Sequence, residues 1–496
     1  MEQTLAATET TQNDTRFFGH PRGLATLFFT EMWERYSYYG TRALLILYMT
    51  AGVQSGGLGF SVVKGGAIYG FYTAMGYLLN LPGGWLADRI LGQRRTVLYG
   101  GILIAAGNFC LAAPSITVFY TGLGLIMLGT GLLKPNVSTI VGQLYRTGDK
   151  RRDSGFSIFY MGINLGALLS PLVCGWVAKE FTWRMGFAVS GVGMAAGLIQ
   201  YVLSGKQLGL AGLHPSSSGD PARDRTQKRN GLLVGGVVLA ALVVLAVLAY
   251  AGIIQLTATA ISNGLGWVLL AITVAVFSWM IFGKGWSIEE RKRAVAIFVL
   301  FAAAAIFWAA FEQAGSSLNL FGERNTNRMV LGYEFPAAWF QFVQPAFVII
   351  LAPVFAWLWL ALGKREPSSP AKFSLGLFLG GSAFALMMLA ASAGAIVSPM
   401  WLVGCYLLQT LGELSLSPVG LSAMTKLAPA RAGGFVMGIW FLATSIGDWL
   451  AGKAGSLFES MPLPTLFGWV AAISCIAGVV LVLLIKPTKK MMAGVS

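Results

Sequence analysis

Four charged residues within twelve positions, Glu31, Glu34, Arg35 and Arg42, interrupt "FFTEMWERYSYYGTRALLILYM" (residues 28–49), a stretch otherwise apolar enough for a bilayer. An ionised side chain in mid-hydrocarbon costs about 2.5–3.5 kcal/mol on insertion scales, so such residues must face a bundle interior or an aqueous cavity. On a helix, Glu31, Glu34, Arg35, Tyr38 and Arg42 share one face about 100° wide. Glu31 precedes Arg35 by four residues, the favourable order for an ion pair. A structural ladder pinning this helix to its neighbours would use such a face. The excess of carboxylates over what one Arg needs, set among tyrosines, fits a polar ligand cavity that also handles protons.

Further charges recur in apolar runs. Lys134 in "LGTGLLKPNVSTI" precedes Pro135, which removes a backbone donor and can bend a helix. A lone intramembrane Lys needs a carboxylate partner or an anionic ligand, and Glu413 in "LLQTLGELSLSPVG" is the candidate partner. Glu312 in "IFWAAFEQAGSSLNLF" is a third isolated carboxylate. A carboxylate taken out of water can exchange protons near neutral pH, so Glu312 and Glu413 are read as functional. Asp448 and Lys453, five apart, are read as structural. Asn164 in "FYMGINLGALLS" and Gln344 in "WFQFVQPAF" could hydrogen-bond a substrate or bridge helices. Tyr69, Trp308 and Trp440 could wall a pocket or simply pack.

Metal and redox chemistry find no support in the residues. His20 and His214 lie outside the apolar runs, and Cys110, Cys174, Cys405 and Cys475 show no CxxC or ligand spacing, reading as small buried hydrophobes. No metal site and no cofactor is expected. With no histidine in the apolar runs, any proton chemistry falls to carboxylates. HExxH, GxSxG and a Gly-rich nucleotide loop are missing, which argues against an enzyme.

The elements that must hold these residues are apolar helices. The 496 residues are 56% hydrophobic and 11% charged, against roughly 25% charged in soluble domains. Fourteen hydrophobic segments are expected, at 22–52, 60–88, 95–113, 115–145, 154–178, 184–205, 231–253, 262–283, 294–322, 334–363, 373–394, 398–425, 433–459 and 463–485. The net charge of +15 does not point to nucleic acid, because the basic residues sit in short connections. With the N-terminus in the cytoplasm, 26 Lys and Arg fall inside and 4 outside. The positive-inside rule thus places both termini in the cytoplasm. No cleavable signal peptide is read in polar residues 1–21. The chain divides into a cytoplasmic tail (1–21), a six-helix bundle (22–205), a cytoplasmic loop with two uncharged extra helices (206–289), a second six-helix bundle (290–486) and a tail (487–496). Paired bundles around a central site are a transporter arrangement.

"EMWERYSYYG" resembles the ExxER[F/Y]xYYG signature of proton-dependent oligopeptide transporters of the major facilitator superfamily. "GGWLADRILGQRRT", "FYMGINLGALLSP", "FWAAFEQAGSSLNLF" and "GELSLSPVGLS" are similar to further blocks of that family, in order along nearly the whole chain. The two extra helices match its prokaryotic type. The resemblance implies an all-α major facilitator fold, di- and tripeptide substrates, a multi-pass place in a bacterial inner membrane and action as a monomer. It implies proton coupling through Glu31, Glu34, Arg35 and Glu312. Arg35 would meet the peptide carboxylate, Lys134 would interact with Glu34 or that carboxylate, and Glu413 would bind the ammonium, with Asn164 on the backbone. Tyr38, Tyr39, Tyr69, Trp308 and Trp440 would shape side-chain pockets, with Gln344 and Ser417 beside Glu413. Two departures stand out: Gln344 replaces the Asn usual in bacterial relatives, and the second span lacks the histidine of animal relatives. A nitrate-like anion, a drug, or a sensor or channel role on the same scaffold are the competing readings.

Overall fold

The computed structural model describes residues 14–146, 148–215, 220–428 and 433–492, and these are almost wholly helical. The first group comprises α1 (Arg22–Thr50), α2 (Val62–Leu78), α3 (Asn80–Leu86), α4 (Gln93–Leu111), α5 (Ile116–Gln143), α6 (Arg151–Glu180) and α7 (Trp183–Ser204). Two further helices follow, α8 (Pro221–Tyr250) and α9 (Ala258–Phe282). The last group is α10 (Ile288–Phe311), α11 (Ser317–Arg324), α12 (Phe340–Leu362), α13 (Ser369–Ala393), α14 (Met400–Leu427), α15 (Gly433–Ser456) and α16 (Leu463–Met491).

Local chemistry sets several helix starts. Ser115, Thr182 and Thr257 each accept a hydrogen bond from a backbone N–H in the first turn of α5, α7 and α9. Ser287 and Glu290 form a reciprocal capping box at the start of α10. Long apolar stretches then carry each helix on.

Ten of the described helices are long and apolar enough to cross a membrane by length and composition. The charges of α1 and the short run of α2, 17 residues before the turn at Leu79, keep those two below that measure. Three expected boundaries differ. α8 begins at Pro221, inside the expected polar loop, because "ARDRTQKR" is made of residues that tolerate an exposed helix. The expected span 334–363 starts as a helix only at Phe340. Before it, β1 (Met329–Val330) pairs antiparallel with β2 (Tyr333–Glu334). The expected span 294–322 is split, since α10 narrows to a 3₁₀ turn at Glu312–Gly315 before α11.

Within the first group α1 packs on α6 and α7, and α4 on α5; in the last group α10 packs on α15, and α13 on α14 and α16. Between the groups α2 crosses α15 and α6 meets α12. At the first crossing the backbones touch: a Cβ on Gly452 would lie 2.3 Å from Gly70 Cα. Ser445 Oγ donates to Ala74 O, Ser456 Oγ to Val63 O and Asn319 Nδ2 to Ala43 O, so polar groups tie the two groups along this seam. α9 docks beside it, with Trp449 Nε1 donating to Ser262 O at 2.7 Å. α8 differs, with Leu232, Leu233, Val234, Val237 and Val238 all more than half exposed, as a lipid-facing helix would have them.

Candidate functional site: a buried charged seam

The face on α1 is buried. Glu31, Arg35 and Arg42 are each 3% exposed and Glu34 not at all. Arg35 takes both neighbouring carboxylates: Nη2 donates to Glu34 Oε1 at 2.7 Å, Nε also meets Glu34 Oε2, and Nε lies 3.4 Å from Glu31 Oε1. The other oxygen of Glu31 has no hydrogen-bond partner among the described residues. The Arg35 guanidinium lies 4.8 Å from the Tyr38 ring centre, a cation–π contact. One arginine thus holds two carboxylates, which leaves the trio with a formal charge of −1.

About two turns beyond Arg35, Arg42 reaches the other helix group. Its Nη2 lies 2.7 Å from Glu312 Oε2, and its Nε donates to the Tyr69 hydroxyl at 3.0 Å. The guanidinium lies 5.6 Å from the Tyr39 ring centre. Glu312 sits in the 3₁₀ turn that breaks the helix, and Gly315 makes room there. A Cβ on Gly315 would come within 1.8 Å of the Tyr69 hydroxyl and 2.8 Å of Arg42 Nε. The break therefore carries both the carboxylate and the space that its partners occupy. Glu312 is not the isolated carboxylate that its sequence context suggests.

The expected Lys134–Glu413 pair does not form. Glu413 Oε2 instead accepts a hydrogen bond from Gln344 Nε2 on α12, at 2.6 Å. Lys134 Nζ lies over the Tyr77 ring at 3.7 Å, within electrostatic reach of Glu31 and Glu34. The reason is geometric: the carboxylates of α1 are the ones that face α5, while α12 offers Glu413 an amide first. Asn164 donates to Tyr160 O of its own helix, and Ser417 Oγ and Trp308 Nε1 have no hydrogen-bond partner among the described residues. Trp440 is buried on Phe373, with ring centres 6.4 Å apart.

Asp448 and Lys453, both read as structural from the sequence, do not pair: Lys453 donates to Asn263 of α9 and covers Trp449. Asp448 is fully buried and faces Glu312. The signal was present, since an ionisable residue inside an apolar span is a functional candidate in its own right.

A polytopic helical protein whose two helix groups meet over buried, oppositely charged side chains belongs to the class of secondary transporters. A sequence profile of the POT family matches residues 94–470. The peptide transporter YePEPT of Yersinia enterocolitica is 44% identical over 494 residues, covering 96% of each chain. A di-/tripeptide transporter of Lactococcus lactis subsp. cremoris is 38% identical, covering 99% of this chain and all of the relative. Among solved structures, a POT peptide transporter in complex with sulfate superposes with a TM-score of 0.92 at 42% identity, covering 98% of this chain and 99% of the other. The chain belongs to the POT family and is an integral, multi-pass membrane protein.

Proposed function

We propose that this protein is a proton-coupled symporter that imports di- and tripeptides across a bacterial inner membrane by alternating access. The observation that carries the proposal is the buried seam in which Arg35 holds Glu31 and Glu34 while Arg42 reaches Glu312 across the two helix groups. Names of full-length relatives, a peptide transporter and a di-/tripeptide transporter, support the substrate class.

A zwitterionic peptide has a cation and an anion a few bonds apart. Arg35 and Lys134 on one side and Glu413 on the other supply both complements. Gln344 and Ser417 border the ammonium end, and Asn164 reads the backbone. Tyr38, Tyr39, Tyr69, Trp308 and Trp440 offer apolar walls of low selectivity, which suits varied side chains. A simple anion would leave Glu413 with the Gln344 amide and no cation to meet its charge. Protonating Glu31 or Glu34 frees Arg35 to take the peptide carboxylate, and protonating Glu312 frees Arg42 from the cross-group pair. Proton and peptide then favour the same conformational change, which is the linkage that symport requires. Per proton, 100 mV supplies about 2.3 kcal/mol and one pH unit about 1.36, enough for several-hundredfold accumulation.

Fourteen spans with both termini in the cytoplasm fit the excess of basic residues in the connections on that side. On this reading 22–205 and 290–486 are the two rocking bundles, α8 and α9 are accessory, and the seam of α2 and α15 closes the external side. The protein acts as a monomer, without cofactor or catalysis.

The test is uptake of labelled dialanine into proteoliposomes under an inside-negative potential, for the wild type and Glu34→Gln. Gradient-driven accumulation that is lost in the variant, while downhill peptide exchange survives, is the expected result. Wild-type protein that takes up no peptide, yet binds another solute, overturns the peptide assignment.

A further inference from the structure

Four carboxylates along the seam are buried, Glu31, Glu34, Glu312 and Asp448, and Glu413 is partly so; the symport scheme uses all of them but Asp448. Asp448 lies two-thirds of the way along α15, is 0% exposed, and neither of its oxygens meets an N–H or O–H donor among the described residues. A buried carboxylate that no protein donor meets is costly if charged. Its surroundings are polar. Arg42 and Tyr38 of α1, Tyr69 and Tyr77 of α2, Lys134 of α5 and Glu312 in the 3₁₀ turn are the titratable groups within its reach. The carboxyl group of Asp448 faces that of Glu312, whose Oε2 is already committed to Arg42 at 2.7 Å. Two facing carboxyl groups form a hydrogen bond only when one of them carries a proton.

We propose that Asp448 and Glu312 form a two-carboxylate site that holds one transported proton between them, making Asp448 a proton-coupling residue of this transporter. The inference rests on the symporter reading. The proton arrives from external water and forms an O–H bond on one carboxyl, and the facing carboxylate accepts the hydrogen bond. With the proton on Glu312, its charge on Arg42 is lost, and Asp448 becomes the carboxylate able to take the released guanidinium. Arg42 can then exchange partners within the seam without being left buried and unpaired, a state that costs several kcal/mol. When the proton departs to cytoplasmic water, the Arg42–Glu312 pair forms again.

The experiment is a double-mutant cycle read as proton-driven dialanine accumulation and as the pH profile of uptake, in proteoliposomes. The four proteins are wild type, Asp448→Asn, Glu312→Gln and the double variant. In the wild-type background, Asp448→Asn should lower accumulation by at least about fivefold and displace the pH profile. In the Glu312→Gln background the same substitution should change accumulation by less than about twofold and leave the profile in place. Equal effects in both backgrounds, or no effect in either, overturn the shared site. A structural role would lower activity without displacing the pH profile. Should Asp448→Asn not reach the membrane, Asp448→Glu is read in the same two backgrounds: retained accumulation with a displaced profile supports the site, and an unchanged profile overturns it. Wild-type protein without uptake would instead count against the symporter reading itself.

Discussion

A guanidinium offers its donors in a rigid fork, and Arg42 spends two of its edges on different elements. Nη2 reaches Glu312 at 2.7 Å in one helix group, and Nε reaches the Tyr69 hydroxyl at 3.0 Å in the other. An ammonium is a compact point charge on a flexible stem and cannot reproduce that fork. Arg42→Lys keeps the charge, so the buried carboxylate is not left wholly uncompensated, but it gives up one of the two contacts. A hydrogen bond to a charged group is worth about 1.5–3 kcal/mol, so proton-driven accumulation should fall by about tenfold or more. Peptide binding, measured by calorimetry on the purified protein, should change little, because the proposed scheme gives the carboxylate end to Arg35 and Lys134. A variant that loses binding and accumulation together would place Arg42 at the peptide instead. The trio on α1 follows a different logic: Arg35 is already shared between two carboxylates, so either one can be neutralised while the other still holds the guanidinium.

Helix against helix, the crossing of α2 and α15 brings bare backbone together at Gly70 and Gly452. Valine at 452 adds three carbons where a single Cβ would already sit 2.3 Å from Gly70 Cα. Overpacking of this kind costs about 1–3 kcal/mol, and it is felt only in the state in which the helices touch. Gly452→Val should therefore shift the population towards the separated state by between about fivefold and a hundredfold. The check is a distance distribution between spin labels at the exposed positions Val53 and Leu457, which should lengthen. An unchanged distance would mean that this crossing does not set the balance. The same elements show what a sequence can and cannot reveal. Apolar length and the spacing on α1 were legible, because a helix face is a local, periodic property. Arg42–Glu312 was not, because partners 270 positions apart leave no periodic trace. The 3₁₀ turn at Glu312–Gly315 was hidden inside a continuous apolar run. The partner of Lys453 was not legible either, because it is Asn263 on α9, whose docking no sequence pattern announces.

Across the whole molecule the charges add up to a statement about transport. With Glu31, Glu34, Glu312, Glu413 and Asp448 ionised against Arg35, Arg42 and Lys134, the seam carries a formal −2, an excess of anions that protons and a substrate ammonium can offset. These groups are fixed to the protein, so the net charge moved in one import cycle is that of the proton plus the peptide. For one proton, dialanine moves a charge of +1 and alanyl-glutamate moves none. A unit charge gains about 2.3 kcal/mol per 100 mV, which is a tenfold change for each ~59 mV. Dialanine accumulation in proteoliposomes should therefore rise about tenfold for every ~59 mV of inside-negative potential at fixed pH. Alanyl-glutamate accumulation should follow the pH gradient alone and stay level as the potential is varied. A potential-independent dialanine signal would mean that no net charge accompanies the peptide, and one-proton symport would be abandoned. A slope twice as steep, appearing for alanyl-glutamate as a tenfold rise per ~59 mV, would show two protons per peptide. The seam has carboxylates enough for that second proton, and the alanyl-glutamate slope is the measurement that would reveal it, because a peptide of charge −1 cancels the first.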